Sequence, residues 1–287
     1  MTASSPRPPS AGGAGPAAVP ILLYHSVSSD PPGPVRDFAV TPAVFADHLD
    51  LLADEGCTAL TVADYLGALD APVPSLPPRP VVVTFDDGWA DFRAAADTLA
   101  GRGLPATLYV TTGLLGGRPG AGTVLGDGGC HGLAWTDLVH IASAGIEIGG
   151  HSHSHPQLDT LSIHRARDEI LRSKNLLEDE LQKPIETFAY PHGYSTRAVR
   201  AEVRHAGFVG ACGVKNALSS VVDDRWSLAR LTVRPTTSTA DVRAWLGGSG
   251  APSTPPTERA RTRAWRAYRR GRAVMRTGVD ARKERAR

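Results

Sequence analysis

The sequence Val81-Val82-Val83-Thr84-Phe85-Asp86-Asp87-Gly88 decides the fold. Three successive β-branched residues in a segment that ends at a glycine predict a short strand buried on both faces, as in a parallel sheet or barrel. Consecutive side chains of an extended segment point to opposite sides, so Asp86 and Asp87 can take different roles at one pocket. Such paired acids can also simply cap the next helix. Their place at the carboxyl end of a buried parallel strand favours a catalytic role, because α/β barrels and sheets carry their chemistry at that end.

Signals for strands and helices alternate on both sides of this stretch. Predicted strands lie at 21–24, 58–60, 106–110, 146–148, 187–189, 209–212 and 229–233. Predicted helices lie at 42–56, 62–69, 89–100, 135–144, 162–182, 196–205 and 239–246. This alternation predicts an α/β fold: a complete or incomplete barrel of about seven or eight strand–helix units that forms a single catalytic domain. A doubly wound open sheet is the alternative.

The composition is that of an ordinary globular protein. The 287 residues are 41% hydrophobic and 21% charged, and a chain of this length can bury a real core. No run approaches the roughly 20 apolar residues that span a bilayer. Residues 1–19 are rich in Pro, Ala, Gly and Ser and predict a disordered lead-in rather than a signal peptide. We therefore expect a cytoplasmic protein by default, with peripheral membrane attachment or a non-standard export route as alternatives.

The charge is distributed unevenly along the chain. Residues 258–287 carry 12 Lys and Arg against 3 Asp and Glu, whereas the whole chain has a net charge of only +2. We expect a catalytic domain over 20–247, a linker over 248–257 and a basic, partly helical tail over 258–287. Such a tail is typical of binding to an anionic surface, and a membrane or a glycan-assembly complex is favoured over nucleic acid. A solvated tail without a partner is the simpler alternative.

Three histidines within five residues indicate a metal site. His151 and His155 stand four positions apart after a predicted strand, with His153 between them. A divalent metal held by Asp87, His151 and His155 would leave an open position for water and would lower the pKa of that water, to about 7 in favourable zinc sites. This donor set suits zinc, cobalt, manganese or nickel. A solvated histidine-rich loop, or convergence of His151 with His153 instead, are the alternatives.

Two further residues complete a hydrolytic set. Asp86 is turned away from the predicted ligand Asp87 and could take a proton from the attacking water as general base. His25 follows another predicted strand and is the candidate acid, because a histidine can carry a proton near neutral pH. On spacing alone, His25 could equally be a capping or core histidine.

Three motifs together resemble the polysaccharide deacetylases of carbohydrate esterase family four. They are Thr84-Phe85-Asp86-Asp87-Gly88, His151-Ser152-His153-Ser154-His155 and Tyr190-Pro191-His192-Gly193. The resemblance covers about residues 20–246. It implies a distorted barrel, Asp86 as base, and a metal held by Asp87, His151 and His155.

A fourth stretch, Leu23-Tyr24-His25-Ser26-Val27, resembles the branch of this family that de-N-acetylates poly-N-acetylglucosamine-type exopolysaccharides. In that branch a histidine at the place of His25 is the proposed acid. Near the end of the domain the family often has a Leu-x-His acid, and Leu231-Thr232-Val233 offers none. Because this stretch has no histidine, His25 is the favoured candidate for the acid.

The third motif departs from the family in two ways. Ala189 stands where many members have an arginine that tunes the catalytic aspartate, so Asp86 must be tuned by another group. His192 replaces a common tyrosine, but its expected catalytic contribution is a backbone N–H to the oxyanion, which any residue except proline can supply. Trp135, Trp89 and Tyr194, together with Pro191, are candidate substrate contacts, and half-buried packing is the alternative for the aromatic rings.

The leading hypothesis is a metal-dependent hydrolase that removes N-acetyl groups from N-acetylhexosamine residues of a polysaccharide or a glycan precursor. The same site could instead cleave an O-acetyl ester or a cyclic amide. A hypothesis of another class is a weakly catalytic glycan-binding or scaffold module that docks through its basic tail.

Overall fold

A curved sheet of parallel strands lies at the centre of the fold. The computed structural model describes residues 18–31, 33–72, 75–116, 131–254, 264–265, 267–269 and 271–272. The strands are β1 (Ala18–Val19), β2 (Ile21–Tyr24), β3 (Ser26–Val27), β4 (Ala39–Val40), β5 (Thr58–Leu60), β6 (Pro80–Phe85), β7 (Thr107–Val110), β8 (Glu147–Gly150), β9 (Thr187–Ala189), β10 (Gly210–Cys212), β11 (Ser219–Ser220) and β12 (Leu231–Thr232).

The main sheet has the strand order β10-β9-β8-β7-β6-β2-β12, and β5 pairs with the first half of β6. Each of these pairings is parallel, and β6 lies in the middle with β2 and β7 as neighbours. Val81, Val82 and Val83 of β6 are fully buried, as expected for a strand covered on both faces. The strands curl into a half-barrel, which confirms the prediction of a distorted or incomplete α/β barrel.

The helices surround this sheet, and their starts follow from the sequence. They are α1 (Pro42–Asp54), α2 (Val62–Asp70), α3 (Phe92–Ala100), α4 (Trp135–Ser143), α5 (Ile163–Leu181), α6 (Arg197–His205) and α7 (Thr239–Leu246). The side chains of Thr41, Thr61, Ser162, Thr196 and Ser238 accept a backbone N–H of the first turn at five of these starts.

One helix start differs from the prediction. Helix α3 begins at Phe92 rather than at Trp89. Residues 88–90 instead pair with residues 131–133, through the bonds from Ala90 N–H to His131 O and from Leu133 N–H to Gly88 O. The chain after β6 is therefore held as an irregular segment, which leaves Asp86 and Asp87 outside any regular element.

Several expectations concern residues outside the described ones. They include most of the predicted lead-in and most of the basic tail. Within the described part of the chain, no helix combines the length and the apolarity needed to cross a bilayer.

Candidate active site

The carboxyl ends of three strands deliver the predicted site residues to one edge of the sheet. Asp86 and Asp87 follow β6, His151 follows β8, and His25 follows β2. This edge is where parallel α/β folds carry their chemistry. The residues lie far apart in sequence, so the sheet itself assembles the site.

Asp87, His151 and His155 form a compact group whose ligand atoms lie within 4.8 Å of one another. Asp87 Oδ1 lies 3.4 Å from His151 Nε2 and 3.2 Å from His155 Nε2. In the described structure, Oδ1 is buried without a conventional hydrogen-bond partner. A buried carboxylate oxygen that faces two imidazole nitrogens suits a divalent cation such as zinc, with these three residues as its protein ligands.

Neighbouring groups orient each candidate ligand. The Nδ1 of His151 bonds the carbonyl oxygen of Ala189 at 2.8 Å, which places the proton on Nδ1 and leaves Nε2 free for a metal. The indole N–H of Trp89 donates to Asp87 Oδ2 at 3.0 Å. Asp87 and His155 both adopt positive φ angles of 77° and 58°. Such conformations are costly for non-glycine residues and are typical of functional sites.

The loop with the three histidines is organised by Glu169 of α5. Its carboxylate accepts the backbone N–H groups of His153 and Ser154 at 3.0 and 2.8 Å. His153 bonds Thr112 Oγ1 through Nδ1 at 2.9 Å, so the structure brings His151 and His155, rather than His153, to Asp87.

Asp86 is held by an arginine that the sequence reasoning did not identify. The guanidinium of Arg230 donates to both carboxylate oxygens of Asp86, at 2.6 and 2.7 Å, and its Nε donates to Gly213 O at 2.9 Å. Arg230 is fully buried. A cation therefore lies against Asp86 although position 189 is alanine. The available signal was a lone arginine between Leu228-Ala229 and Leu231, because a charged residue in an apolar strand must have a buried partner.

The pKa values of both aspartates are lowered. Burial acts to raise the pKa of Asp86, but the charge and hydrogen bonds of Arg230, together with the neighbouring His151 and His25, outweigh it. Burial likewise acts against ionisation of Asp87, and the close approach of the His151 and His155 rings brings its pKa well below the usual value. Both carboxylates are therefore ionised near neutral pH, as a metal ligand and a base require.

His25 and His192 border the same group. The ring of His25 packs against Phe38, with centroids 5.0 Å apart. Burial lowers the pKa of His25, although the charges of Asp87 and Asp86 oppose this shift. His192 is exposed at the surface, but desolvation of its ring and the neighbouring His155, with ring centroids 4.7 Å apart, lower the pKa of His192 to about 4. Both rings are therefore neutral in the resting protein near pH 7.

The third motif forms a tight turn beside the histidines. Pro191–Gly193 is one turn of 3₁₀ helix in which His192 has a positive φ of 59°. A Cβ atom at Gly193 would lie 2.5 Å from the side chain of Val214, so only glycine fits there. The turn thus sets the direction of the His192 backbone N–H.

The candidate substrate contacts differ in exposure. Trp135 and Trp89 are buried, with 4% and 7% of their surface exposed, so little ring face is available for a sugar. Pro191 is also buried, whereas Tyr194 is partly exposed and its ring contacts Arg269. Substrate contact by these residues stays a prediction.

Comparison with known proteins identifies the domain. Residues 74–211 match the model of the family described as polysaccharide deacetylase. YxkH of Bacillus subtilis (strain 168), assigned as a polysaccharide deacetylase, is 25% identical over 233 residues, which are 80% of this chain and 77% of that protein. Residues 74–211 therefore belong to a polysaccharide deacetylase domain. The family comprises hydrolases that act on amide or ester bonds of acetylated sugars.

Solved structures share the fold of this deacetylase domain. The deacetylase PplD of Streptococcus pyogenes, in complex with acetate, has a TM-score of 0.68 and 24% identity, covering 80% of this chain and 98% of its own. A de-N-acetylase from Aggregatibacter actinomycetemcomitans has a TM-score of 0.68 and 16% identity, covering 79% of this chain and 99% of its own. His25 and Arg230 lie outside the segment that the family model matches.

Proposed function

We propose that this protein is a metal-dependent deacetylase that removes N-acetyl groups from N-acetylhexosamine residues of a polysaccharide or a glycan precursor. The observation that carries the proposal is the group of Asp87, His151 and His155 with an ionised Asp86 beside it. When bound there, a divalent metal would supply a Lewis acid for the acetyl carbonyl and lower the pKa of water. Zinc, cobalt, manganese and nickel all suit the donor set.

The roles of the protein groups follow from their positions. Asp86, with both oxygens held by Arg230, accepts the proton of the attacking water. The backbone N–H of His192 donates to the oxyanion that develops on the acetyl group. His25 carries a proton to the departing nitrogen. Because His25 is neutral at rest, it must first take up that proton from solvent, and Asp86 returns to solvent the proton that it took from the attacking water.

The need for an acid favours an amide over an ester. An amine leaves only after its nitrogen is protonated, whereas an alkoxide leaves more readily. His25 is placed to supply this proton, because it lies close enough to Asp86 and Asp87 for their charges to affect its pKa. The name of one structural neighbour, a de-N-acetylase, agrees with this chemistry.

The first experiment combines metal analysis with product analysis. We expect about one equivalent of a transition metal in the wild-type protein and little in Asp87→Ala, because that variant loses one of three protein ligands. Acetate and free amine should then be released in equal amounts from N-acetylglucosamine oligomers. Acetate release from O-acetylated xylan without activity on the oligomers would identify an esterase, and absence of metal after reconstitution would contradict the proposal.

A further inference from the structure

The described residues of the basic tail pack against the catalytic domain through Arg269. This arginine is only 9% exposed. It donates to Asp159 Oδ2 at 2.9 Å and to Gln157 Oε1 at 2.6 Å, and its guanidinium carbon lies 3.9 Å from the centre of the Tyr194 ring. A buried arginine with a carboxylate, an amide and an aromatic face as partners is an anchor rather than a solvated side chain.

The anchor lies at the rim of the active site. Gln157 follows the metal-ligand candidate His155 by two positions, and Tyr194 follows His192 by two positions. The rings of His155 and His192 are themselves in contact. Arg269 therefore holds the described tail residues, 264–265, 267–269 and 271–272, where the loops of the second and third motifs meet.

This segment presents two aromatic rings to solvent. Trp265 and Tyr268 are 51% and 54% exposed, and their rings stack with centroids 5.7 Å apart at 29°. The other large hydrophobic residues that are exposed in the described part of the chain are aliphatic: Val139, Leu171, Val209, Val221 and Val222. Exposed aromatic rings held in place at the edge of a site are typical of binding surfaces.

We propose that Trp265 and Tyr268 form a subsite that binds a sugar ring of the glycan chain at a distance from the reacting acetyl group. This inference rests on the proposed function, which identifies the bound molecule as a glycan. Pyranose rings carry an apolar C–H face that packs on aromatic rings, and a polysaccharide extends beyond the unit that reacts. The buried Arg269 favours this role over docking to a membrane, because it fixes the rings to the rim of the site.

The kinetic test compares long and short substrates. In Trp265→Ala/Tyr268→Ala, the KM for an N-acetylglucosamine hexamer should rise roughly 5- to 10-fold, with kcat unchanged and with no change for the dimer. Val139→Ala, which removes an exposed side chain from α4, is the matched control and should behave as the wild type. A hexamer KM within about twofold of the wild-type value in the double variant would overturn the proposal.

A second variant tests Arg269 as a positioning residue. Arg269→Gln/Asp159→Asn removes both charges of the buried pair at nearly constant volume, so that neither is left unpaired. The hexamer KM should rise as much as in the ring variant although both rings are present. An unchanged KM would show that Arg269 does not position the rings.

Binding without turnover separates this proposal from the proposed function. Calorimetric titration with cellohexaose, a glucan with similar ring faces and no acetyl group, should show binding to the wild type and to Val139→Ala but not to the ring variant. This result would support the subsite even if no acetylated glycan were hydrolysed. Equal binding to the wild type and the ring variant, or binding to neither, would overturn the proposal. The proposal would also be overturned if the ring variant lost binding to phosphatidylglycerol vesicles while its KM for the hexamer stayed unchanged.

Discussion

The two ends of the sheet bury carboxylates in opposite ways. At the carboxyl end, Asp86 lies against the cation of Arg230, and its pKa falls although burial acts to raise it. At the amino end, Glu147 of β8 accepts hydrogen bonds from the hydroxyl groups of Thr107 and Thr187. Burial raises the pKa of Glu147, and these neutral donors do not reverse the shift.

The difference separates a chemical role from a structural one. Glu147 also accepts the backbone N–H of Ala63, and Thr107 accepts that of Val62, so this network satisfies the first turn of α2. Neutral donors suffice for that purpose. A base must stay ionised at the working pH, and the formal opposite charge of Arg230 favours the ionised form of Asp86. Burial alone therefore does not mark the catalytic carboxylate.

The largest expected effect is a loss of turnover when the carboxylate at the carboxyl end of the sheet is replaced, but not when the one at the amino end is. Asp86→Asn should lower kcat by a factor on the order of 10² to 10⁴, because an amide cannot accept the proton of water, while the metal content stays near that of the wild type. Glu147→Gln, the matched change at the amino end, should retain kcat within about twofold. Near-normal turnover in Asp86→Asn would remove Asp86 from the mechanism.

Removing the positive charge of Arg230 should raise the pKa of Asp86, so that this carboxylate resembles Glu147 at the amino end of the sheet. Arg230→Met leaves Asp86 buried without its partner, and we expect the free energy of unfolding to fall by about 3–5 kcal/mol. The pKa of Asp86 should rise, so the acidic limb of the kcat/KM profile moves to higher pH.

A control for this variant is Arg234→Met, whose arginine stacks on the exposed side of Phe38. It should leave both the acidic limb and the unfolding free energy close to those of the wild type. An unshifted acidic limb in Arg230→Met would mean that Arg230 does not set the pKa of Asp86.

A smaller effect is expected from the group that orients the metal ligand. Trp89→Phe removes the indole N–H that donates to Asp87 Oδ2 and keeps most of the ring. We expect metal affinity to fall roughly 10- to 100-fold, as is usual when a hydrogen bond to a ligand is lost. Competition with a chelator measures this, and Trp135→Phe, another buried indole, is the control. Equal affinities in the two variants would contradict the role of Trp89.

The smallest effect concerns stability against pH. The pKa of Glu147 is higher in the folded state than in the unfolded state. Between these two pKa values the folded protein binds more protons, so the free energy of unfolding falls as pH rises through this range. Glu147→Gln should abolish this fall, and each pKa unit of difference corresponds to about 1.4 kcal/mol. Urea unfolding of both proteins from pH 4 to 8 tests the sign. Asp86 has the opposite sign, since its lowered pKa contributes stability that is lost as pH falls.

The sequence alone determined the parts that depend on local order. The buried run before Asp86 and Asp87 predicted β6, and the local spacing of apolar residues predicted most helices. The spacing of the histidine motif gave the metal-ligand candidates. The predictions of β6 and of most helices were confirmed, because such patterns act within a few residues of the chain, whereas metal binding by the histidines stays a prediction.

Tertiary structure decided which distant groups meet. Arg230 reaches Asp86 across 144 positions, and Arg269 reaches Asp159 across 110. The choice of His155 over His153 depended on Thr112 and Glu169, which come from other elements. No local signal encodes such pairings. A buried charge requires a partner of opposite charge, but the tertiary fold determines which residue lies close enough to be that partner.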